Sequence, residues 1–517
     1  MPSNQARGSR RFSFAVVGAL AGALLVAASG AAQAQAPKRG GTLTIASEAE
    51  FSGFNPYKAK VFNQNTLGPA SSVFETLFVF EDRKVVPRLA LEFKESADRL
   101  SAVVSLRRGV KFHDGTPFDA DAVVAHYNGI LDPKSGISTT ALAALKAVEK
   151  VDDSSVRFVL KSPWAGLQSA LAHEVLFNFI ESPAALKADA EGFHRKPVGT
   201  GPYLFKEWRA GDRVVLERYP DYWDKKLPYL DRVVYRVMPD VNSRYQSIRS
   251  GEVDIGGIDN AGFVIEAKKD PALKIERYEG AGAFMWNFNH SKPPFNDPRV
   301  RAAVVHAFNA PAMVDTYFLG TTRPTADLLG PNSPFQCPGL KWRGYDLDKA
   351  KALVKEVGKP IKVVQTTVNT PVWRRQATLL QQFLEAAGIE VETKLVEQSQ
   401  NVRVGISGDY ELGVWRFVDT NGEPDGILAG YFGGSTGFTF TRHDSKKIDA
   451  LLDQARAEPD RNKRGELYCQ IQQVVSDEAI ALIPVRQTYY AISHPYVKDV
   501  PPMQDNIFRA RAIWLDK

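Results

Sequence analysis

The sequence predicts an α/β fold, with open sheets flanked by helices. Capped helical segments alternate with strand-like runs along most of the chain. At 517 residues the chain has room for about three domains of roughly 150 residues each. Hydrophobic residues at 44% against 24% charged give the balance of a globular protein with a large core. Two cysteines, Cys337 and Cys469, exclude a disulfide-stapled scaffold and a four-thiolate zinc site.

The elements follow in chain order. Residues 95–160 read as short alternating runs, such as 102–106 and 156–160, split by turn pairs like Asp114-Gly115. That texture marks a mixed insertion in a larger α/β body. Asp119 caps a helix over 120–130. Ser243 opens a helix over 244–250, Gly251 stops it, and Val253-Asp254-Ile255 is strand-like. Asp297-Pro298 joins an N-cap to a proline at the first helical position, ahead of 299–308. Asp348 begins a helix that Gly358 closes before the strand-like run 361–364. Thr370-Pro371 repeats the cap-proline signal for 372–387; Gly388 ends that helix, and 389–392 alternates as a half-buried strand.

Residues 1–34 carry Arg7, Arg10 and Arg11, an apolar run over 12–28, and the small-residue ending Ala32-Gln33-Ala34. That order is the signature of a cleavable secretory signal. Ser9-Arg10-Arg11 hints at twin-arginine export, but Ser13 stands where that motif wants Phe, so general secretion is the default reading. The expected location is the periplasm, where Cys337 and Cys469 either pair or stay free. Formal charge is +6 and drops to +3 without the three arginines, with no Lys/Arg blocks; nucleic acid is therefore not an expected partner.

Enzyme chemistry finds no footing. None of the eight histidines sits in a His-x-His or His-Glu-x-x-His spacing. His113-Asp114-Gly115 reads as a strand entering a turn. The run 433–437 resembles a phosphate loop but lacks the following Gly-Lys-Ser/Thr. Neither a nucleophile elbow nor a dinucleotide fingerprint occurs. The expectation is no enzymatic activity, no metal and no cofactor.

A series of segments is more telling: Val73-Phe74-Glu75-Thr76-Leu77-Phe78, Pro87-Arg88-Leu89-Ala90, the stretch 106–123 around Lys111-Phe112-His113-Asp114-Gly115-Thr116-Pro117-Phe118, Pro197-Val198-Gly199-Thr200-Gly201-Pro202-Tyr203, Pro220-Asp221-Tyr222-Trp223, Asn287-Phe288-Asn289, and Phe295-Asn296-Asp297-Pro298-Arg299. In this order and spacing they resemble family 5 of the extracellular solute-binding proteins, the dipeptide-, oligopeptide- and nickel-binding receptors of ABC importers, from about residue 40 to 490. The resemblance implies a bilobal periplasmic-binding-protein clamshell with an additional inserted domain in the first lobe. The division it suggests is signal 1–34, lobe I 37–75, inserted domain 76–204, lobe I again 205–285, lobe II 286–486, and a return to lobe I over 487–517. Crossings between the lobes are expected near 284–289 and 483–487.

The same resemblance implies a monomeric receptor that closes on a small-molecule or short-peptide ligand and hands it to membrane permease subunits with their ATPase. Asp419 matches the carboxylate that holds a peptide's ammonium group, with Trp415, Arg416, Phe417 and Asn421 in the same stretch. Arg374 or Arg375 falls where dipeptide binders hold the ligand's carboxylate, and Arg416 competes for that role. Trp286 and Asn287 belong to the first crossing; Phe54 and Asn55 occupy a loop that lines the cleft in relatives. Each has a plainer reading: a solvated loop acid, an exposed helix face, or core packing. The large aromatics Trp286, Trp373, Trp415 and Phe417 leave less room than an oligopeptide needs. The alternatives are a non-peptide cargo (an aromatic compound, opine, oligosaccharide or chelated metal) or a periplasmic sensor component.

Overall fold

Two long antiparallel strands, Lys274–Phe288 and Ala481–Ser493, hold the architecture together. They lie in the middle of a ten-stranded sheet. On one side come Ile255–Gly257, Thr42–Ser47, Arg232–Val237, Arg213–Arg218 and Tyr203–Arg209; on the other, Leu412–Val418, Ile361–Val368 and Ile389–Val396. The computed structural model describes residues 36–58, 64–81, 84–135, 142, 144–174, 178–325, 327–331, 333–418, 423–434, 439–503 and 505–517. The signal-like segment 1–34 lies outside them.

The two halves of the sheet are the two lobes. In the first, Thr42–Ser47 runs parallel to both neighbours and buries Leu43 and Ile45 against Val233, Tyr235 and Ile255. In the second, Ile361–Val368 and Ile389–Val396 are parallel, which requires a crossover. The helix Pro371–Ala386 supplies it and buries Gln376, Ala377, Leu380 and Leu384 along one face. The α/β class and the bilobal arrangement expected from the sequence are therefore present.

A separate four-stranded antiparallel sheet, formed by Ala90–Glu95, Ser101–Leu106, Ser155–Leu160 and Leu145–Asp152, packs with the helix Ala120–Leu131 around Val104, Phe112, Val123, Tyr127 and Phe158. This body reaches the second lobe: the Ala165 N–H donates to the Arg456 carbonyl and the Arg99 guanidinium to the Ala457 carbonyl, each at 2.8 Å.

Caps explain where helices start, and two differ from expectation. Asp119 accepts from the Ala122 N–H and Asp297 from the Arg299 N–H, as expected. The helix expected from Ser243 spans Val241–Arg249 and is capped by Asp240, whose carboxylate receives both the N–H and the hydroxyl of Ser243 at 2.8 Å. A carboxylate outcompetes a hydroxyl for this place, so Ser243 falls inside the first turn. Asp346, rather than Asp348, caps Leu347–Val357 by accepting from the Lys349 N–H. The strand near 253 forms over Ile255–Gly257: the Val253 N–H turns back to the Ser247 carbonyl, and the Asp254 N–H is the first to reach the neighbouring strand, at the Thr44 carbonyl.

Candidate functional site

Where the central strands pass between the lobes, their ladder breaks. Pairing runs from Lys274 opposite Ser493 to Glu279 opposite Thr488, then resumes at Ala283 opposite Arg486. Residues 280–282 therefore stand across from Gln487 alone, a bulge that frees the backbone to bend. The change of lobe falls just before the first crossing expected at 284–289 and at the end of the second, 483–487.

Arg486 fixes the bulge. Burial pulls its guanidinium down to about 10, so it stays charged at neutral pH. It donates to the Gly282 carbonyl at 2.8 Å, and to the Thr325 hydroxyl and the Asp327 carbonyl. Arg323 meets Glu279 across the same break at 2.8 Å, and that guanidinium lowers the Glu279 pKa.

A cavity opens beside this bulge, with about 660 Å³ of empty space that includes open solvent. The first lobe contributes Glu48, Asp259 and Asn506. The second contributes Phe284, Tyr317 and Trp373. Gln487 and Tyr489 come from the crossing strand itself. Phe284 stands edge-on to Trp373 at 6.2 Å and 5.4 Å from Phe318, which makes that wall apolar and rigid. Opposite lie two carboxylates, with the buried Arg244 guanidinium 3.4 Å from that of Asp259. One aromatic wall facing an acidic wall suits a solute with an apolar body and a hydrogen-bond-donating or cationic group.

Trp373 lines this cavity, while Trp286, Asn287, Phe54, Asn55, Trp415, Arg374 and Arg375 are not among its lining residues. Trp286 is buried in the second lobe, 5.1 Å from the Phe308 ring, and Asn287 beneath it donates to the Met285 carbonyl at 3.4 Å. Phe54 is enclosed by Phe205 and Trp208, and Asn55 shapes its own loop by bonding Ala190 and Tyr57. Trp415 is buried 4.8 Å from Tyr410 and 6.0 Å from Phe440. Arg374 is exposed and bonds Asn369. Arg375, also exposed, donates to the Thr316 carbonyl, next to the cavity residue Tyr317. Arg416 and Phe417 are described as backbone only, within the strand Leu412–Val418. Asp419 and Asn421 lie outside the described residues. The strand before them ends at Val418, paired with Gly282 in the bulge.

Glu48, Asp259, Tyr317, Gln487 and Tyr489 were not singled out by the sequence. Only Gln487 carries a local signal, as an uncharged polar residue inside the apolar run 481–493. Among the described residues no group of three or more His, Cys, Asp or Glu side chains is placed to hold a metal, and no helix is long and apolar enough to cross a membrane.

Two α/β lobes joined by crossing strands, with a cavity at the joint lined from both, define a clamshell solute-binding protein. The chain belongs to the bacterial extracellular solute-binding proteins, family 5, whose middle region it matches over residues 84–439. It is 29% identical over 507 residues to the dipeptide-binding protein of Escherichia coli K12, covering 91% of this chain and 93% of that one. The glutathione-binding protein GsiB of Escherichia coli O1:K1 is 29% identical over 84% of this chain and 87% of its own. Among solved structures, the periplasmic binding protein DppA of Helicobacter pylori with the peptide STSA superposes with a TM-score of 0.85 at 25% identity, covering 93% of this chain and 99% of that one. AppA of Bacillus subtilis with a nonapeptide gives the same score and identity, over 93% of this chain and 100% of that one.

Proposed function

We propose that this protein is the soluble receptor of an ABC importer, exported to the periplasm by a cleaved signal, where it closes on a short peptide or amine-bearing small solute. The observation that carries this reading is the cavity at the strand crossing, in a chain of family 5. Rotation about residues 280–282 and 487 changes the separation of the acidic and aromatic walls, so a ligand touching both favours the closed form. Nothing covalent is required: the protein acts by binding and then by presenting its closed form to the permease. Relatives named for dipeptide and glutathione binding support a peptide-like cargo.

In this reading Asp419 receives the ligand's ammonium group, and Arg374 or Arg375 attracts its carboxylate from the end of the helix Pro371–Ala386. Breaking an enclosed ammonium–carboxylate pair costs about 3–5 kcal/mol. Asp419→Ala is therefore expected to weaken an amine-bearing ligand by at least about a hundredfold, read by titration calorimetry. Unchanged affinity removes Asp419 from the site. The function itself is tested by native mass spectrometry of the protein purified from the periplasm, with released molecules identified. Short peptides support the reading, and a single non-peptide compound overturns the cargo assignment. The aromatic wall of Phe284, Tyr317 and Trp373 favours an aromatic solute as the second reading.

A further inference from the structure

One side chain at the strand crossing has hydrogen-bonding capacity that the protein does not use. Gln487 is 3% exposed and lines the cavity. Arg486 turns towards Gly282, Thr325 and Asp327, while Gln487 lines the cavity with Thr488, Tyr489 and Tyr490. The Gln487 Oε1 is buried with no hydrogen-bond partner among the described residues. Gln472, equally buried, has both ends occupied: its Oε1 accepts from the Leu328 N–H and its Nε2 donates to the Cys337 sulfur. A buried amide left unmatched destabilises the empty protein, and water or ligand must complete it.

The ladder geometry explains why nothing in the protein completes it. Residue 487 stands opposite three residues, 280–282, so no single cross-strand neighbour faces it. The side chain also projects into the joint between two acceptor-rich lobe-I residues, Glu48 and Asp259, and an apolar lobe-II wall. A primary amide offers one acceptor and one donor side by side. Its best complement is another amide, which returns an N–H to Oε1 and a carbonyl to Nε2.

We propose that Gln487 is a specificity-determining residue whose side-chain amide pairs with a peptide group of the bound ligand at the pivot between the lobes. This rests on the peptide reading of the cavity. A ligand bonded here is anchored to one of the two strands that cross between the lobes, so occupancy and closure share a contact. Solutes without an amide lose the pairing and leave Oε1 unmatched inside a closed, drier site.

The test uses two probes on the full mature protein: L-alanyl-L-phenylalanine, and its depsipeptide, in which an ester oxygen replaces the peptide N–H. Wild type is expected to bind the depsipeptide about tenfold more weakly, the equivalent of one ordinary buried hydrogen bond. Gln487→Leu is expected to lose about tenfold on the dipeptide, to bind both probes equally, and to melt no lower than wild type without ligand. Gln487→Glu, which keeps the size but cannot donate, should also lose affinity and guards against a packing artefact of leucine. If Gln487→Leu binds the dipeptide as wild type does, or keeps the wild-type preference between probes, the inference is overturned while the peptide reading stands. If wild type binds neither probe, the peptide reading fails and the inference falls with it.

Discussion

Glu75 shows what the family segments do physically. Its buried carboxylate accepts from the Tyr222 hydroxyl at 2.7 Å, the Trp223 indole N–H at 2.8 Å and the Thr200 hydroxyl at 3.0 Å, with the Arg88 guanidinium at 3.9 Å. Those residues come from four different recognised segments. His113 adds a fifth connection, with its Nε2 at 2.9 Å from the Gly201 carbonyl. The segments that identify the family are therefore joints between the inserted sheet and the first lobe. Glu75→Ala would leave the buried Tyr222 and Thr200 hydroxyls and the half-buried Trp223 indole without this acceptor. A loss of about 3 kcal/mol or more in unfolding free energy is expected by urea titration. Ligand affinity per folded molecule should be unchanged, because Glu75 does not line the cavity. A loss below about 1 kcal/mol would show that the network relaxes without its centre.

At the scale of elements, the second lobe is fastened by a covalent link. Cys337 and Cys469 form a disulfide across 132 residues, tying the loop after the cavity-lining segment to the helix Arg461–Asp477. The sequence left pairing open; the fold brings the two Cα atoms to 5.4 Å. Closing so long a loop restricts the unfolded chain, and an effect of about 2–4 kcal/mol is typical. The double change Cys337→Ser, Cys469→Ser should lower the melting temperature and leave the folded lobe intact, since Phe335, Tyr468 and Ile471 still pack together there. A melting temperature equal to wild type would mean the bridge adds nothing to stability. The same helix group carries two buried ion pairs, Glu423 with Arg464 at 3.1 Å and Asp425 with Arg456 at 2.8 Å, beside the contacts that the inserted sheet makes at Arg456 and Ala457.

For the whole molecule, acid is the condition that reveals the cost of burial. Burial pulls His113 down to about 4, His443 to about 4 and His290 to about 3; Arg301 further disfavours charge on the last two. The His290 and His443 Nδ1 atoms lie 3.2 Å apart, so one ring donates to the other only while at least one is neutral. An unfolded histidine titrates near 6.5. A group whose folded pKa is depressed adds stability above the unfolded value and loses it as pH falls through the folded value. The urea midpoint should therefore be highest above about pH 6.5 and fall steadily towards pH 4. Burial raises the Glu423 and Asp425 pKa values instead, so from the ordinary carboxylate range upwards those groups act in the opposite sense. Between pH 7.5 and pH 5 the histidines are expected to outweigh these two carboxylates, and a midpoint that does not fall across that interval would show that they do not.

The sequence by itself determined what depends on local chemistry and on the order of segments. Aspartate before proline fixed one helix start, alternating runs fixed strands in the inserted sheet, and the ordered segments from Glu75 to Arg299 fixed the family and the two-lobed plan. Tertiary structure alone decided which side chains face the cavity. A tryptophan reads the same in sequence whether it lines a cleft, as Trp373 does, or fills a core, as Trp286 does. The difference is set by which face of a strand or helix meets the other lobe. Glu48, Asp259, Tyr317 and Gln487 are far apart along the chain, and they share one cavity only because two strands carry the backbone across the joint.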